Sequence, residues 1–378
     1  MQKKKNKQLP PLVWADIELS SIARNYSCLK RTIGRKGKIM AVVKADAYGH
    51  GLIPVSLCLS RLGADYLAVA SLDEALSLRE TGIKKAILVI NTVADNQLQY
   101  LIKHDITATI SSLRQAKILN GLAAAFNKNI KVHIEIDTGM GRCGIWYKHA
   151  SKTVKDIVSL GRIDAEGIFT HFPCADSDIS FTKKQITNFK NLLEELKAAG
   201  IYFKLIHTAN SAGIVNFAPD YCNMVRPGLM LYGASWDKKL RKKLKLEPAM
   251  SFKTRIVFLK KVSKGRSISY GRTYIAKSPR IIATIAAGYA DGYNRLLSER
   301  GEVLIRGKRA RVIGRVCMDS TMVDVTSIKA AKVGDEVVLF GRKGKHLLAV
   351  EEIAYLCKTI PYEIFCSVSK RVRRFYRK

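Results

Sequence analysis

Apolar runs and amphipathic segments alternate along the first two thirds of the chain. Leu12–Leu19 reads as a strand, and Ser20 or Ser21 follows as a cap for a helix running to about Arg31. Next comes an apolar run from Ile39 to Lys44, with the character of a buried strand. Seven more runs suit strands: Tyr66–Ala70, Ala86–Ile90, Ala108–Ile110, Lys131–Ile136, Ala165–Thr170, Phe203–His207 and Cys222–Val225. Helical periodicity fills the gaps, for example over Ser71–Thr81, Leu113–Phe126 and Thr182–Gly200. Eight strands alternating with helices predict an α/β fold, an N-terminal (β/α)8 TIM-like barrel. In such barrels the working residues sit where strands end. Lys44, Arg142, His171, Ser211 and Arg226 all fall at or just after predicted strand ends.

From Glu247-Pro248 the pattern changes. Phe252–Leu259, Ile281–Ala287, Glu302–Ile305, Arg311–Ile313 and Glu336–Phe340 are strand-like and separated by Gly and Asp turns rather than long helices. One helical stretch, Ala349–Cys357, follows. The expected organisation is a basic extension over 1–12, a barrel over 13–246 and a β-rich C-terminal domain over 247–378. No internal repeat or low-complexity linker interrupts it.

Composition narrows the class. At 378 residues with 47% hydrophobic content, the chain can bury a large core, so global disorder is not expected. No apolar run reaches the ~18 residues of a membrane span. The basic, polar stretch Met1–Pro11 has no hydrophobic segment after it, unlike a secretory signal. The eight cysteines form no C-x-x-C pair, so neither a zinc site nor a disulfide framework is suggested, and a reducing cytoplasm fits. The net charge of +34 raises nucleic acid as a partner. Yet the cations are spread over the whole chain, and no nucleic-acid-binding signature accompanies the dense runs Lys3–Lys5, Lys238–Lys245 and Lys370–Lys378. Solvated surface charge is the preferred reading, with no specific nucleic acid and no membrane.

Lys44 is the first candidate for chemistry. A lysine where a buried strand ends either reaches out to water or is held for use. Desolvation favours its neutral amine, which can form a Schiff base with an aldehyde cofactor such as pyridoxal 5'-phosphate (PLP). Both readings stay open on this stretch alone. Gly49 and Gly51 are expected to break the strand and permit the turn into the next helix. Gly139-Met-Gly-Arg-Cys-Gly144 contains G-x-G-x-x-G after a strand, a weak dinucleotide fingerprint. Arg142 in that turn suits an anionic oxygen better than a close-packed pyrophosphate.

Val42-Val-Lys-Ala-Asp-Ala-Tyr-Gly-His-Gly51 resembles the PLP-lysine signature of alanine racemases. Six more segments continue the resemblance in family order, from Trp14 to Arg373: Asp137–Gly144, Thr170–Phe172, His207–Ser211, Met224–Gly233, Ser267–Tyr274 and Arg315–Asp319, with Thr359–Ile364 beyond them. The resemblance implies PLP on Lys44, and phosphate contacts from Tyr48, Ser211, Tyr362 and the backbone N–H groups of Gly228 and Leu229. It implies that Arg226 faces the pyridine nitrogen and His171 lies near the cofactor. Arg142 would bind the phenolic oxygen and the substrate carboxylate, Met318 would bind that carboxylate through its N–H, and Tyr289 would narrow the entrance. It also implies Lys44 and Tyr270 as the two bases, a homodimer with shared active sites in which Tyr270 comes from the partner, and no metal. The implied reaction interconverts L- and D-alanine for cell-wall peptidoglycan.

Where many family members carry a lysine that becomes carbamylated, this chain has Glu135, and a direct pair with Arg142 is expected. The alternatives are a broad-specificity racemase acting on serine or basic residues, a same-fold basic amino-acid decarboxylase, and a PLP-binding homeostasis protein. The decarboxylase would favour an adjacent Cys-Asp pair, whereas Met318 separates Cys317 from Asp319; the homeostasis protein typically lacks the second domain.

Overall fold

The computed structural model describes residues 10–217, 221–235 and 238–378, so residues 1–9 of the basic extension lie outside the described residues. Two compact units emerge. One spans Ile22–Tyr232 with a short piece up to Leu246. The other combines residues 10–21, a short piece near Gly233 and Glu247 onward.

The first unit is a closed parallel barrel of eight strands. In chain order they are Lys38–Val42, Tyr66–Val69, Ala86–Val89, Thr107–Ile110, Ile130–Asp137, Ile163–Phe169, Leu205–His207 and Met224–Val225. Each pairs in parallel with the next, and Met224 returns to pair with Lys38, closing the ring. Most positions of these strands are buried on both faces, so Tyr66–Val69 and Ala86–Val89 read as nearly continuous apolar runs. Several barrel helices start on a side-chain cap. Ser71 accepts from the Glu74 amide, Ser112 from that of Gln115, Asp178 from that of Phe181 and Asn210 from that of Gly213. Each such cap is worth about 1 kcal/mol.

The second unit is sheet-rich. Its sheet runs Lys308–Arg311, Glu302–Ile305, Glu336–Lys343, Met250–Val262, Trp14–Glu18, Arg373–Arg377, with Arg280–Ile285 branching from the long strand Met250–Val262 and Thr321–Asp324 pairing in turn with Arg280–Ile285. The boundary drawn at residue 13 assigned the first strand to the barrel, but both of its partners lie in the β-rich unit. Trp14–Glu18 pairs antiparallel with Met250–Lys253 and parallel with Arg373–Arg377. The first helix begins at Leu19, immediately after the strand, so Ser20 and Ser21 lie inside its first turn rather than before it, and the Glu18 amide still donates to Ala249 O at 2.8 Å. Buried Asp16 anchors this strand, with Lys253 Nζ at 2.8 Å and Arg377 Nη2 at 2.9 Å.

Candidate active site

Lys44 stands two residues past the end of the strand Lys38–Val42. The chain then makes a left-handed turn. Ala45, Asp46, Ala47 and Tyr48 all have φ of 53–54°, a conformation that costs a non-glycine residue roughly 1–2 kcal/mol. The strand ends at Val42, well before the glycines, so they do not break it; but Gly49 and Gly51, with φ of 74° and 99°, do carry the turn into the helix Leu52–Arg61. Short-range bonds hold the left-handed turn, from Ala47 N to Val43 O at 2.8 Å and Gly49 N to Ala45 O at 2.9 Å. Two carboxylates hold it from outside. Asp46 Oδ1 accepts the Leu52 amide at 2.7 Å, and Glu74 accepts the Asp46 amide at 3.2 Å through Oε1 and the Ala70 amide at 2.9 Å through Oε2. Sequence reasoning missed Glu74; its only signal was an acidic residue three positions after a capping serine.

Tyr48, Ser211, Gly228 and Leu229 converge in the barrel unit. Ser211 Oγ accepts the Gly228 amide at 3.1 Å. A Cβ on Gly228 would lie 2.4 Å from Tyr48 Oη, so only glycine lets the phenol approach this backbone. A hydroxyl, a phenol and close-set backbone amides make a cradle suited to a phosphate dianion.

Arg226 is almost fully buried at 2% exposure. Its Nη1 donates to His207 Nδ1 at 2.6 Å and His207 O at 2.9 Å. Its Nη2 donates to Thr170 O at 2.8 Å and Thr208 O at 3.1 Å and contacts His171 Nδ1 at 3.1 Å. Its Nε has no acceptor among the described residues. Burial lowers its pKa to about 10, with Glu135 opposing, so it stays cationic at neutral pH. His171 is driven well below the ordinary histidine range by burial and then by the charges of Arg226, Arg142 and Lys44, and it is neutral. The buried donor at Nε and the glycine-dependent cradle fit the ring nitrogen and the phosphate of PLP.

Arg142 lies beyond a loop organised by Asp137, whose Oδ1 accepts the amides of Gly139 at 2.9 Å, Met140 at 2.8 Å and Gly141 at 3.2 Å. The expected direct pair with Glu135 is not formed: no ion pair between them occurs within 4.0 Å among the described residues. Glu135 is buried at 3% exposure and accepts instead from Ser111 Oγ at 3.2 Å. A glutamate holds its carboxylate several atoms nearer the strand than a carbamylated lysine would, and Arg142 is exposed. Burial raises the Glu135 pKa despite the nearby Arg142 charge and the Ser111 bond.

In the β-rich unit, Tyr270 opens a short 3-10 turn over Tyr270–Arg272 and is 72% exposed. Its neighbour Ser269 donates to Arg315 O at 2.6 Å. Tyr289 and Met318 occupy two loops zipped together, with Tyr289 N bonded to Cys317 O and Ala290 N to Met318 O, each at 3.0 Å. Arg371 ties the same loops through Asp291 at 2.8 Å and Asp319 at 2.7 Å. Tyr289 and Met318 are also exposed. Tyr362 is half-buried in the helix Pro361–Ser367. Among the described residues, no cluster of three metal-ligating side chains occurs, and no helix is long and apolar enough to cross a membrane.

The family profile "Alanine racemase, N-terminal domain" matches residues 17–236, and "Alanine racemase, C-terminal domain" matches residues 249–376. The alanine racemase of Halothermothrix orenii is 45% identical over 373 residues, covering 98% of each chain. Among solved structures, alanine racemase of Clostridium difficile 630 superposes with a TM-score of 0.91 at 38% identity, covering 98% of this chain and 97% of that one. The Bacillus anthracis alanine racemase with bound L-Ala-P gives 0.89 at 37%, covering 98% and 96%.

Proposed function

We propose, from the premise that the chain belongs to the alanine racemase family and is an amino-acid isomerase, that it interconverts L- and D-alanine with two protein bases and one PLP. The buried Arg226 guanidinium carries this reading: it is fixed by five contacts, with one donor left over. Lys44 would hold the cofactor covalently. Tyr48, Ser211, Tyr362 and the amides of Gly228 and Leu229 would hold its phosphate, and Arg226 Nε would face its ring nitrogen. When bound, PLP supplies an aldehyde that captures amines and a conjugated ring that withdraws electron density from the α-carbon. Arginine does not give up its proton at working pH, so it leaves that ring nitrogen unprotonated. An arginine in that place would favour prompt return of the proton to the α-carbon over side reactions.

Lys44 takes or returns the α-proton on the D side, and Tyr270 does so on the L side. Two bases on opposite faces need fixed positions within hydrogen-bond reach of one carbon. Arg142 and the Met318 amide hold the substrate carboxylate, and Tyr289 narrows the entrance. Tyr270 reaches the site of a partner subunit, so the working form is a homodimer with shared sites. The product is D-alanine for peptidoglycan, made in the cytoplasm.

The test is turnover of L-alanine to D-alanine, with serine and lysine as control substrates, in the parent chain, Lys44→Ala, Tyr270→Ala and mixtures of the two variants. Each variant alone is expected to be inactive. Mixed dimers carry one site with both bases and recover activity. Racemisation by Tyr270→Ala alone, or equal rates on serine, would overturn the assignment of the second base or of the substrate.

A further inference from the structure

Barrels of this class are usually filled with branched aliphatic side chains. This one carries polar groups in its interior. Toward the amino-terminal ends of the strands, the Tyr66 phenol donates to Glu166 Oε2 at 2.6 Å and lies 3.3 Å from Thr107 Oγ1. The Tyr66 ring is 5.4 Å from that of His133. His133 and His207 are completely buried, with His133 Nδ1 2.8 Å from His207 Nε2. His207 Nδ1 meets Arg226 Nη1 at 2.6 Å. The His133 ring lies flat against Gly167, where any Cβ would fall 2.7–2.8 Å from three ring atoms.

The proton positions follow from one fact: a guanidinium has donors and no acceptor. His207 Nδ1, facing Arg226, is therefore unprotonated. His207 Nε2 must then carry the ring's proton, since losing it too would leave an imidazolate. That proton is donated to His133 Nδ1, so the proton of His133 sits on Nε2. This atom is buried and has no partner among the described residues. The same logic leaves His171 Nδ1 as an acceptor toward Arg226 Nη2. One arginine thus sets the tautomers of three histidines.

We propose that His133 is a positioning residue for the reaction: by accepting the His207 proton it locks that ring, and through it the Arg226 guanidinium, against the cofactor ring. The proposal rests on the reading that Arg226 faces PLP. A leucine at 133 would leave the His207 Nε2–H buried without an acceptor. His207 could escape only by turning its ring away from Arg226.

Imidazole nitrogen spectra of the full chain, labelled at histidine and free of PLP, test the proton positions directly. His133 and His207 should both be neutral with the proton on Nε2; an Nδ1–H on either overturns the chain of donors. His133→Leu, His133→Gln and Gly167→Ala then test the consequence, read as the absorbance band of bound PLP, its dissociation constant, and kcat against KM. Loss of one buried acceptor should lower kcat in His133→Leu about ten-fold, with a change in KM for alanine of less than about two-fold. PLP should also dissociate more readily and its absorbance band should shift. Glutamine, whose Oε1 can accept the same proton, should recover most of this. If His133→Leu does not fold, Gly167→Ala, which displaces the ring, should reproduce the spectral shift while His133→Gln does not. Variants with the parent's spectrum, PLP affinity and kcat would overturn the proposal. A parent chain that binds no PLP would sink the proposed function instead, while the imidazole spectra would still decide the donor chain.

Discussion

Gly228 shows how one missing methyl group shapes the site. Its backbone meets the Tyr48 phenol so closely that a Cβ would sit 2.4 Å from the oxygen. Gly228→Ala should push Tyr48 aside, an overpacking cost of about 1–3 kcal/mol. PLP affinity should fall about ten-fold or more by that figure, measured by fluorescence titration of the stripped protein; unchanged affinity would show that the cradle is not where phosphate binds. The motif around Gly228 was legible as a string of letters. The reason for the glycine was not, because Tyr48 lies 180 positions earlier and only the closed barrel brings the two together. Glu135 teaches the converse. Its place in the motif suggested a partner for Arg142, but side-chain reach decided otherwise, and it settled on Ser111.

Among the elements, the left-handed turn after Lys44 is least like its sequence. Nothing in Ala-Asp-Ala-Tyr signals four residues at positive φ, and each is disfavoured locally. The compensation is long-range, with Glu74 bridging the Asp46 amide to the Ala70 amide at the end of the next strand. Glu74→Ala should expose both amides to faster hydrogen exchange and lower stability by about 1–2 kcal/mol, since charge-assisted bonds to a half-exposed carboxylate are lost. Equal exchange rates at Asp46 and Ala70 in both proteins would rule this clamp out. By contrast, all eight barrel strands were readable, because each keeps an apolar core of positions even where a histidine, threonine or glutamate interrupts it.

On the scale of the whole molecule, residues near the two chain ends meet in one sheet. Asp16 is held there by Lys253 and Arg377. Burial alone would raise its pKa, but the bonds to Lys253 and Arg377 outweigh that and hold it below the ordinary aspartate value. The folded-state pKa is therefore lower than the unfolded one. The stabilisation is complete above about pH 4, the unfolded value, and disappears as pH falls through the folded value. Asp16→Asn should cost about 3 kcal/mol near neutrality, the low end for a broken buried pair because Arg377 is exposed. The gap from the parent in denaturant melts should close in acid. A gap independent of pH would mean the strand is held by packing alone.

Local periodicity set the strand and helix alternation and the change to a β-rich unit near Glu247, whereas the residues proposed for chemistry were pointed to by motif resemblance rather than by periodicity. Which sheet takes Trp14–Glu18, what holds the Lys44 turn, where Glu135 finds its partner and how His133, His207 and Arg226 line up became visible only in the folded chain. Those outcomes depend on distances between residues far apart in the chain, where hydrogen-bond reach and the exclusion of water choose among partners that local sequence leaves equivalent.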